Sequence, residues 1–379
     1  MKKNKNLLAR YKFSANYIQD YAEFHKHVFE KTIIPYQVEF QPPPRSTRKI
    51  CWLECPYCYG LSADDNEDRM SNDRAVEIMH QIAKGGVKKV IFAGYASDPL
   101  NSPYIEDLLE IAIDNKMIFG FNTKALKVSQ RLLGLLSRKD IVPKSYMSLS
   151  IDAGSNEAYN VIHDVKSNVK LYDQIINNVR QIAHSNKLNG LKFDMSAAYL
   201  INVHNNDAKE VRRFINHFQS AGCNLLRFTF PQPPRGIKTD PGVVPSSNEI
   251  KKYKKILSPI INAASNNNNL TMLVDADSEH DIFRKPRTLP CFARFVYPTV
   301  GFDGWLYHCS QSSAPNFRLM ALGDLNKNDF WDLFYNYDIS RMDEYFKQCG
   351  AKMKKTGCRC DRKMHVLNQG VIDSSTFIA

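Results

Sequence analysis

The chain has 379 residues, 43% of them hydrophobic and 24% charged, a globular composition long enough for one large domain with a smaller one or for two of medium size. A peptide, a coiled coil and a disordered tail are excluded. Lys and Arg number 51 against 39 Asp and Glu, a formal +12, which favours acidic or phosphate-bearing partners but is too weak a pointer to make nucleic acid an expected partner.

Met1-Lys2-Lys3-Asn4-Lys5-Asn6 starts as a signal peptide does, yet Arg10, Lys12, Asn16, Gln19 and Asp20 break up any apolar segment behind it. No run approaches the ~18 apolar residues that a membrane-spanning helix requires, so a cytoplasmic protein with no membrane partner is expected. In a reducing compartment the nine cysteines are expected as thiols available to metals. From residue 34 to 230, short β-branched or aromatic runs alternate with stretches of helical period. Strands are predicted at 35–40, 89–93, 117–123, 146–151, 192–200 and 225–230. A helix over 73–84 has Ser71 as its N-cap and Val76, Met79, Ile82 and Ala83 on one face. Another over 208–221 repeats the spacing with Val211, Phe214, Ile215 and Phe218, and Gly222 follows its end. Six strands alternating with helices call for a parallel α/β sheet with right-handed crossovers, either doubly wound or a complete or partial barrel. In each case function gathers where strands end and loops begin.

Pro231-Gln232-Pro233-Pro234-Arg235-Gly236 ends the pattern, because proline donates no ladder hydrogen bond. A charged helix over 247–264 and an asparagine-rich turn over 262–269 read as a linker. From about residue 290 short strand-like runs carry Cys291, Cys309, Cys349, Cys358 and Cys360, and so small a core suggests a metal staple. Cys223, alone at the start of the sixth strand, reads as a core thiol.

Cys51-Trp52-Leu53-Glu54-Cys55-Pro56-Tyr57-Cys58 has the spacing C-x3-C-x2-C, for which chance gives about 0.005 matches in a chain of this length and cysteine frequency. Three thiolates on one loop can bind three irons of a [4Fe–4S] cluster and leave the fourth open to a substrate or cofactor. Zinc is the alternative, but structural zinc takes four ligands, and His25, His27 and His80 do not fall at finger spacing.

This segment resembles the signature of the radical S-adenosylmethionine superfamily, with Tyr57 as the aromatic before the third cysteine. The resemblance implies a partial (β/α)6 TIM-type barrel in which Cys51, Cys55 and Cys58 hold a [4Fe–4S] cluster whose free iron chelates S-adenosylmethionine. One electron, from a donor such as flavodoxin or ferredoxin, then cleaves the cofactor to methionine and a 5′-deoxyadenosyl radical. Gly94-Tyr95-Ala96-Ser97-Asp98-Pro99 resembles a shortened form of the family's Gly-Gly-Glu-Pro, making Gly94, Ser97 and Asp98 cofactor-binding candidates; a turn with Asp98 capping the next helix is the plainer alternative. Ser148-Leu149-Ser150-Ile151-Asp152 resembles Ser-x-Asp-Gly, with Ser150 toward the cofactor. Where relatives often place an arginine near the cofactor carboxylate, this chain has His163. Arg227 on the sixth strand pairs with a carboxylate if it faces the barrel interior and is solvated if it faces out, which a one-residue register shift decides.

Cys291, twelve residues and then Gly304-Trp305-Leu306-Tyr307-His308-Cys309 resemble the opening of SPASM and shorter twitch extensions, in which a hairpin presents thiolates to an auxiliary cluster. Phe302-Asp303-Gly304 supplies the turn. Cys349 and Cys358 fit two further SPASM places, Lys352 and Arg362 occupy two others, and Cys360 is extra. One auxiliary [4Fe–4S] cluster, on Cys291, Cys309 and two of Cys349, Cys358 and Cys360, is the expectation; a zinc ribbon on the same thiolates is the alternative. His308 is either a donor beside the metal or an ordinary strand residue.

The expected organisation is a helical extension (1–33), a radical SAM core barrel (34–236), a linker helix region (237–289) and a small iron–sulfur domain (290–379). The expected activity is hydrogen abstraction from a substrate C–H bond, oxidising or rearranging a small molecule. Peptide modification is the enzymatic alternative, and a non-catalytic zinc protein on the same fold is the other. With fewer than forty residues ahead of the first strand, no separate leader-peptide-binding domain is expected. Arg45, Arg48 and Arg235 border the predicted mouth as solvated rim charges or as contacts for an acidic substrate.

Overall fold

A computed structural model describes residues 18, 20–44, 51, 53–58, 69–95, 97–231, 242–267, 271–274, 291–313, 315–358, 360 and 362–374. Arg45, Arg48 and Arg235 lie outside the described residues.

Among the described residues, ten strands form one sheet. In chain order they are β1 (Val38–Phe40), β2 (Lys89–Ala93), β3 (Ile118–Thr123), β4 (Ser145–Ser150), β5 (Phe193–Leu200), β6 (Leu225–Thr229), β7 (Thr271–Val274), β8 (Thr299–Val300), β9 (Trp305–Tyr307) and β10 (Ala321–Asp324). Their order across the sheet is β10-β9-β8-β1-β2-β3-β4-β5-β6-β7. All pairings from β1 to β7 are parallel. After α1 (Tyr21–Phe29), the crossovers are α2 (Asn72–Lys84), α3 (Ile105–Asp114), α4 (Gln130–Leu136), α5 (Asn156–Ile162) with α6 (Leu171–Leu188), α7 (Ala208–Ser220) and α8 (Ser247–Asn267). This open, mostly parallel sheet is that of a partial TIM-type barrel.

The caps follow the sequence. Ser71 Oγ accepts from the Arg74 amide at 3.2 Å, a contact worth about 1 kcal/mol to a helix start. The residues read as the apolar stripe of α7, Val211, Phe214, Ile215 and Phe218, are all buried. One strand escaped the sequence reading: β7 pairs with β6 as a seventh parallel strand in the region read as a linker. Its four residues stand directly behind an asparagine run, too short for their period to register.

Strand alternation divides the sheet into two faces. Val90, Phe92, Phe119, Phe121, Met147, Leu149, Met195, Tyr199, Leu226 and Phe228 point outward into one core with helix residues such as Ile78, Leu108, Ile175 and Phe214. The alternate residues form the inner face. Register aligns Ala93 with Asn122, Asn122 with Ser148 and Ser148 with Ser196, while Ser150 pairs with Ala198 and Ala198 with Arg227. A polar inner face opposite an apolar outer one leaves room for a polar ligand rather than more core.

The cysteine-rich segment extends this same sheet beyond β1. β8 runs parallel to β1, and β8–β9 and β9–β10 are antiparallel. The β8–β9 turn is the predicted Phe302-Asp303-Gly304: Gly304 has φ +78°, and a Cβ there would stand 2.3 Å from the Asn326 amide. Asp303 accepts from the Trp305 amide at 3.2 Å and from the Tyr307 hydroxyl at 2.7 Å. Four helices follow the sheet's margin: α9 (Ala293–Val296), α10 (Phe330–Phe334), α11 (Met342–Thr356) and α12 (Arg362–Asp373). Trp331 of α10 docks on α2, donating its indole N–H to the Gln81 carbonyl at 2.9 Å beside Gly85, where any Cβ would meet the Trp331 ring at 2.1 Å.

Candidate functional site

The three thiols of the first motif lie on the loop that follows β1. Leu53 anchors that loop in the main core, and the Cys58 amide donates to the Cys55 carbonyl at 2.9 Å. Cys55 is buried, with Cys51 and Cys58 half-buried. The thiols sense one another: burial pushes the Cys55 thiol up to about 12, with Cys58 and Cys51 adding to the rise and Lys124 opposing it. Cys51 is raised by burial too, and the Leu53 amide hydrogen bond opposes the rise. Left as thiols these groups stay protonated, so the loop gathers donors that a metal must deprotonate on binding.

A buried polar network holds the loop against the ends of β3 and β4. Tyr57 donates its hydroxyl to Asp152 Oδ2 at 2.7 Å. Asp152 has a left-handed backbone, φ +65°, which costs a non-glycine residue about 1–2 kcal/mol. Three contacts hold it there: Oδ1 accepts from the Leu200 amide at 2.8 Å, its carbonyl accepts from Asn205 Nδ2 at 2.6 Å, and Tyr57 takes the other carboxylate oxygen. His163, fully buried, places Nδ1 3.1 Å from Cys55 Sγ, and its carbonyl accepts from the Glu54 amide at 3.2 Å. Lys124 donates Nζ to the Ser150 carbonyl at 3.0 Å and lies 3.4 Å from His163 Nε2. Burial lowers the His163 pKa well below its ordinary value and Lys124 lowers it further.

The remaining candidates separate by role. Asp98 is occupied by structure: Oδ1 accepts from the Leu100 amide at 3.0 Å and the Thr123 hydroxyl at 2.6 Å, and Oδ2 accepts from the Lys124 amide at 2.5 Å. It caps the short helix Pro99–Asn101, as the plainer reading had it, and stitches the end of β2 to the end of β3. Gly94 is required by a close approach, since a Cβ would stand 1.4 Å from the Ser97 carbonyl oxygen. Ser97 Oγ accepts from Asn101 Nδ2 at 3.4 Å. Ser150 and Arg227 lie on the inner face, which decides the open orientation of Arg227. Arg227 acts electrostatically on Asp152, and its buried Nε has no hydrogen-bond partner among the described residues.

The five C-terminal cysteines come together from four separate stretches. Cys291 precedes α9, Cys309 leaves β9, Cys349 is on α11 and Cys358 follows its left-handed cap at Gly357; all join one cluster with Cys360 packed against it. The hydrogen bond between Cys291 and Cys349 holds the Cys349 thiol below its ordinary value. Asn368 donates to Cys360 Sγ at 3.8 Å and accepts from the Phe292 amide at 2.7 Å. The same cluster contains Ile91, Tyr95 and Tyr146, so this thiol group abuts the barrel, and Tyr95 stacks on Phe302 with ring centroids 5.6 Å apart. His308, beside Cys309, is buried with Nε2 2.9 Å from the Tyr345 hydroxyl, and its Nδ1 faces the Met320 carbonyl. Cys223 is a buried thiol in the main core.

All nine cysteines are thiols rather than half-disulfides. No three His, Cys, Asp or Glu side chains among the described residues are gathered as around a single ion. A cluster in which each iron takes one thiolate spreads its ligands farther apart than one ion does, and the loop trio, mutually coupled and without a carboxylate among them, fits that donor set. The unpartnered Nε of Arg227 fits an anionic ligand on the inner face beside it. Arg294 of α9 is 1% exposed; it donates to Phe334 O at 2.6 Å and to the Tyr345 hydroxyl at 3.1 Å. The rings of Phe295, Tyr337 and Tyr345 lie 5.2–5.5 Å from its guanidinium carbon, so this buried cation is held by carbonyls, a hydroxyl and aromatic faces.

Lys124, Asp152 and Arg294 escaped the sequence reading. Lys124 had a signal, since it stands directly behind β3, and every other motif of the site also follows a strand. Arg294 had none, because a lone arginine two residues into a short helix reads as surface.

Against known proteins, residues 46–215 match the Radical SAM superfamily model. The fold is similar to that of Streptococcus suis SuiB bound to S-adenosylmethionine, at 14% identity over 86% of this chain and 71% of that chain, TM-score 0.58. It is also similar to native anSMEcpe with bound AdoMet and Cp18Cys peptide, at 16% identity over 83% of each chain, TM-score 0.54. No curated protein matches the chain in sequence. The loop trio, Gly94, Asp98, Lys124, Asp152 and His163 all fall within the span that matches the Radical SAM superfamily model.

Proposed function

We propose that the chain is a radical S-adenosylmethionine enzyme whose first cluster is held by Cys51, Cys55 and Cys58, with an auxiliary [4Fe–4S] cluster on four of the five C-terminal cysteines. The observation that carries this is the thiol trio on the loop after β1, within a matching domain and against a polar inner face. When bound, the cluster with S-adenosylmethionine supplies a one-electron cleavage of the sulfonium carbon–sulfur bond and hydrogen abstraction from a substrate C–H bond. The protein's own residues bind, orient and exclude water. Tyr57 and Asp152 fix the loop on β4, Gly94 lets its own loop fold back onto the Ser97 carbonyl, and Arg227 offers its unpaired Nε to a carboxylate. Ser150 lines the same face.

For the substrate, the sequence favoured a small molecule, whereas the likeness in fold favours a peptide: SuiB is solved with precursor peptide SuiA, and anSMEcpe with the Cp18Cys peptide. The division into barrel, linker and C-terminal iron–sulfur domain is proposed alongside, as is an external electron donor.

Anaerobic reconstitution followed by reduction tests the activity. About 8 irons per chain with matching sulfide, for two [4Fe–4S] clusters, and release of 5′-deoxyadenosine are expected. Zinc without sulfide, and no deoxyadenosine, overturns the proposal. Deuterium transfer into 5′-deoxyadenosine from labelled peptides or labelled small molecules separates the two substrate classes.

A further inference from the structure

We propose that His163 is a positioning residue for the cluster on Cys51, Cys55 and Cys58: it donates its Nδ1 proton to the Cys55 sulfur, and with Lys124 behind it sets how readily that cluster takes an electron. The inference rests on the iron–sulfur reading of the trio.

A cysteine that ligates iron carries no proton. In the 3.1 Å contact between Cys55 Sγ and His163 Nδ1, the proton therefore belongs to nitrogen. A neutral imidazole protonated at Nδ1 has a lone pair at Nε2, and Nε2 must accept. Two groups face it. Lys124 Nζ, at 3.4 Å, has only protons to give; the Ile151 carbonyl, at 3.3 Å, can only accept. The carbonyl favours the opposite tautomer, but a charged donor makes the stronger hydrogen bond, so Lys124 selects the ring that donates to sulfur. Lys124 is fixed independently by its bond to the Ser150 carbonyl and by the Tyr159 ring, 5.8 Å from Nζ.

The ring has no freedom to turn away. Tyr159 packs on it at 4.2 Å between centroids, its amide donates to the Tyr159 carbonyl at 3.0 Å, and its carbonyl holds the Glu54 amide of the cysteine loop. Those two backbone bonds survive any side-chain substitution, so the loop keeps this anchor when the imidazole is removed. A hydrogen bond to a cluster sulfur, backed by a cation, withdraws charge from the sulfur and favours the reduced cluster. At the position where the resemblance placed an arginine toward the cofactor, this chain has instead turned a side chain to the metal's own ligand.

The test is a redox titration of the reconstituted full chain, following the electron paramagnetic resonance signal that changes when S-adenosylmethionine is added and so reports the cluster with the open iron. His163→Leu is expected to lower the reduced-to-oxidised ratio about tenfold at fixed potential, about 59 mV for a one-electron couple, with iron and sulfide content unchanged. Lys124→Met shifts the ratio in the same direction by less. His163→Asn, whose amide nitrogen reaches the Nδ1 position, restores the wild-type ratio. A wild-type ratio in His163→Leu, or failure of His163→Asn to restore it, overturns the inference. Should His163→Leu not fold, an unchanged ratio in Lys124→Met overturns it. Absence of any iron–sulfur signal in the wild-type chain overturns the reading of the trio itself, an outcome distinct from those.

Discussion

The two thiol groups of this protein are built in opposite ways. Cys51, Cys55 and Cys58 come from eight consecutive residues, and their surroundings are polar and buried: Asp152, His163, Lys124 and Tyr57 close around them. Cys291, Cys309, Cys349, Cys358 and Cys360 are drawn from a span of seventy residues, and their surroundings are largely apolar, with Ile91, Tyr95, Met320, Met353 and Met364 in the same cluster. The local trio is prearranged by its loop and tuned by distant strands. The dispersed group exists only once the hairpin, α11 and the start of α12 have packed. A local site is therefore exposed to changes in its hydrogen bonds, and a dispersed one to changes in packing.

The sharpest break in this comparison is cysteine deletion. Cys→Ala at 51, 55 or 58 is expected to remove all 5′-deoxyadenosine formation along with about half of the ~8 irons. Cys349→Ala is expected to remove a similar share of iron while leaving uncoupled cleavage of S-adenosylmethionine, measured by chromatography of the reduced reaction. Loss of cleavage in both would mean that the two groups form one functional unit.

Arg227→Met probes the ligand side of the local site alone. Loss of a buried charge-assisted contact of about 1.5–3 kcal/mol predicts S-adenosylmethionine binding 10- to 100-fold weaker in equilibrium dialysis, with iron content unchanged. Binding within twofold of wild type would remove Arg227 from the cofactor site.

Tyr57→Phe removes the tie from the loop to Asp152, which leaves that carboxylate oxygen without this donor. A loss of about 2 kcal/mol is expected as a lower urea midpoint at unchanged slope. The equivalent deletion of an apolar contact in the dispersed group, Met353→Ala, is expected to cost about 2–5 kcal/mol through a cavity, beside the C-terminal thiols.

The last effect lies outside both groups. His25 on α1 is 8% exposed, and burial lowers its pKa to about 4. The unfolded chain then binds the proton first as pH falls below about 6.5, so stability declines between pH 6.5 and 4 and is unaffected above. His25→Leu should flatten that limb of a thermal-melt pH profile. An unchanged profile would put the acid sensitivity elsewhere.

Much of the barrel was legible because its signals are short in range. Strand period, the Ser71 cap and the apolar stripe of α7 each depend on neighbours within a few turns. The C-x3-C-x2-C loop was legible for the same reason, as was the turn at Gly304. β7 was missed because four residues carry almost no period. Lys124, Asp152 and His163 could not be joined by reading, since 28 residues separate the first two and the contacts run between strand ends.

The sequence by itself determined the parallel α/β pattern, the three thiols on one loop and the hairpin that begins the second group, because each is encoded in a continuous stretch. Only the tertiary structure decided that Arg227 faces inward, that His163 meets the Cys55 sulfur, that Asp98 is absorbed in a cap, and that five scattered cysteines pack into one group. Those facts depend on sheet register and on helices docking across long separations, where a shift of one residue turns a side chain to the other face.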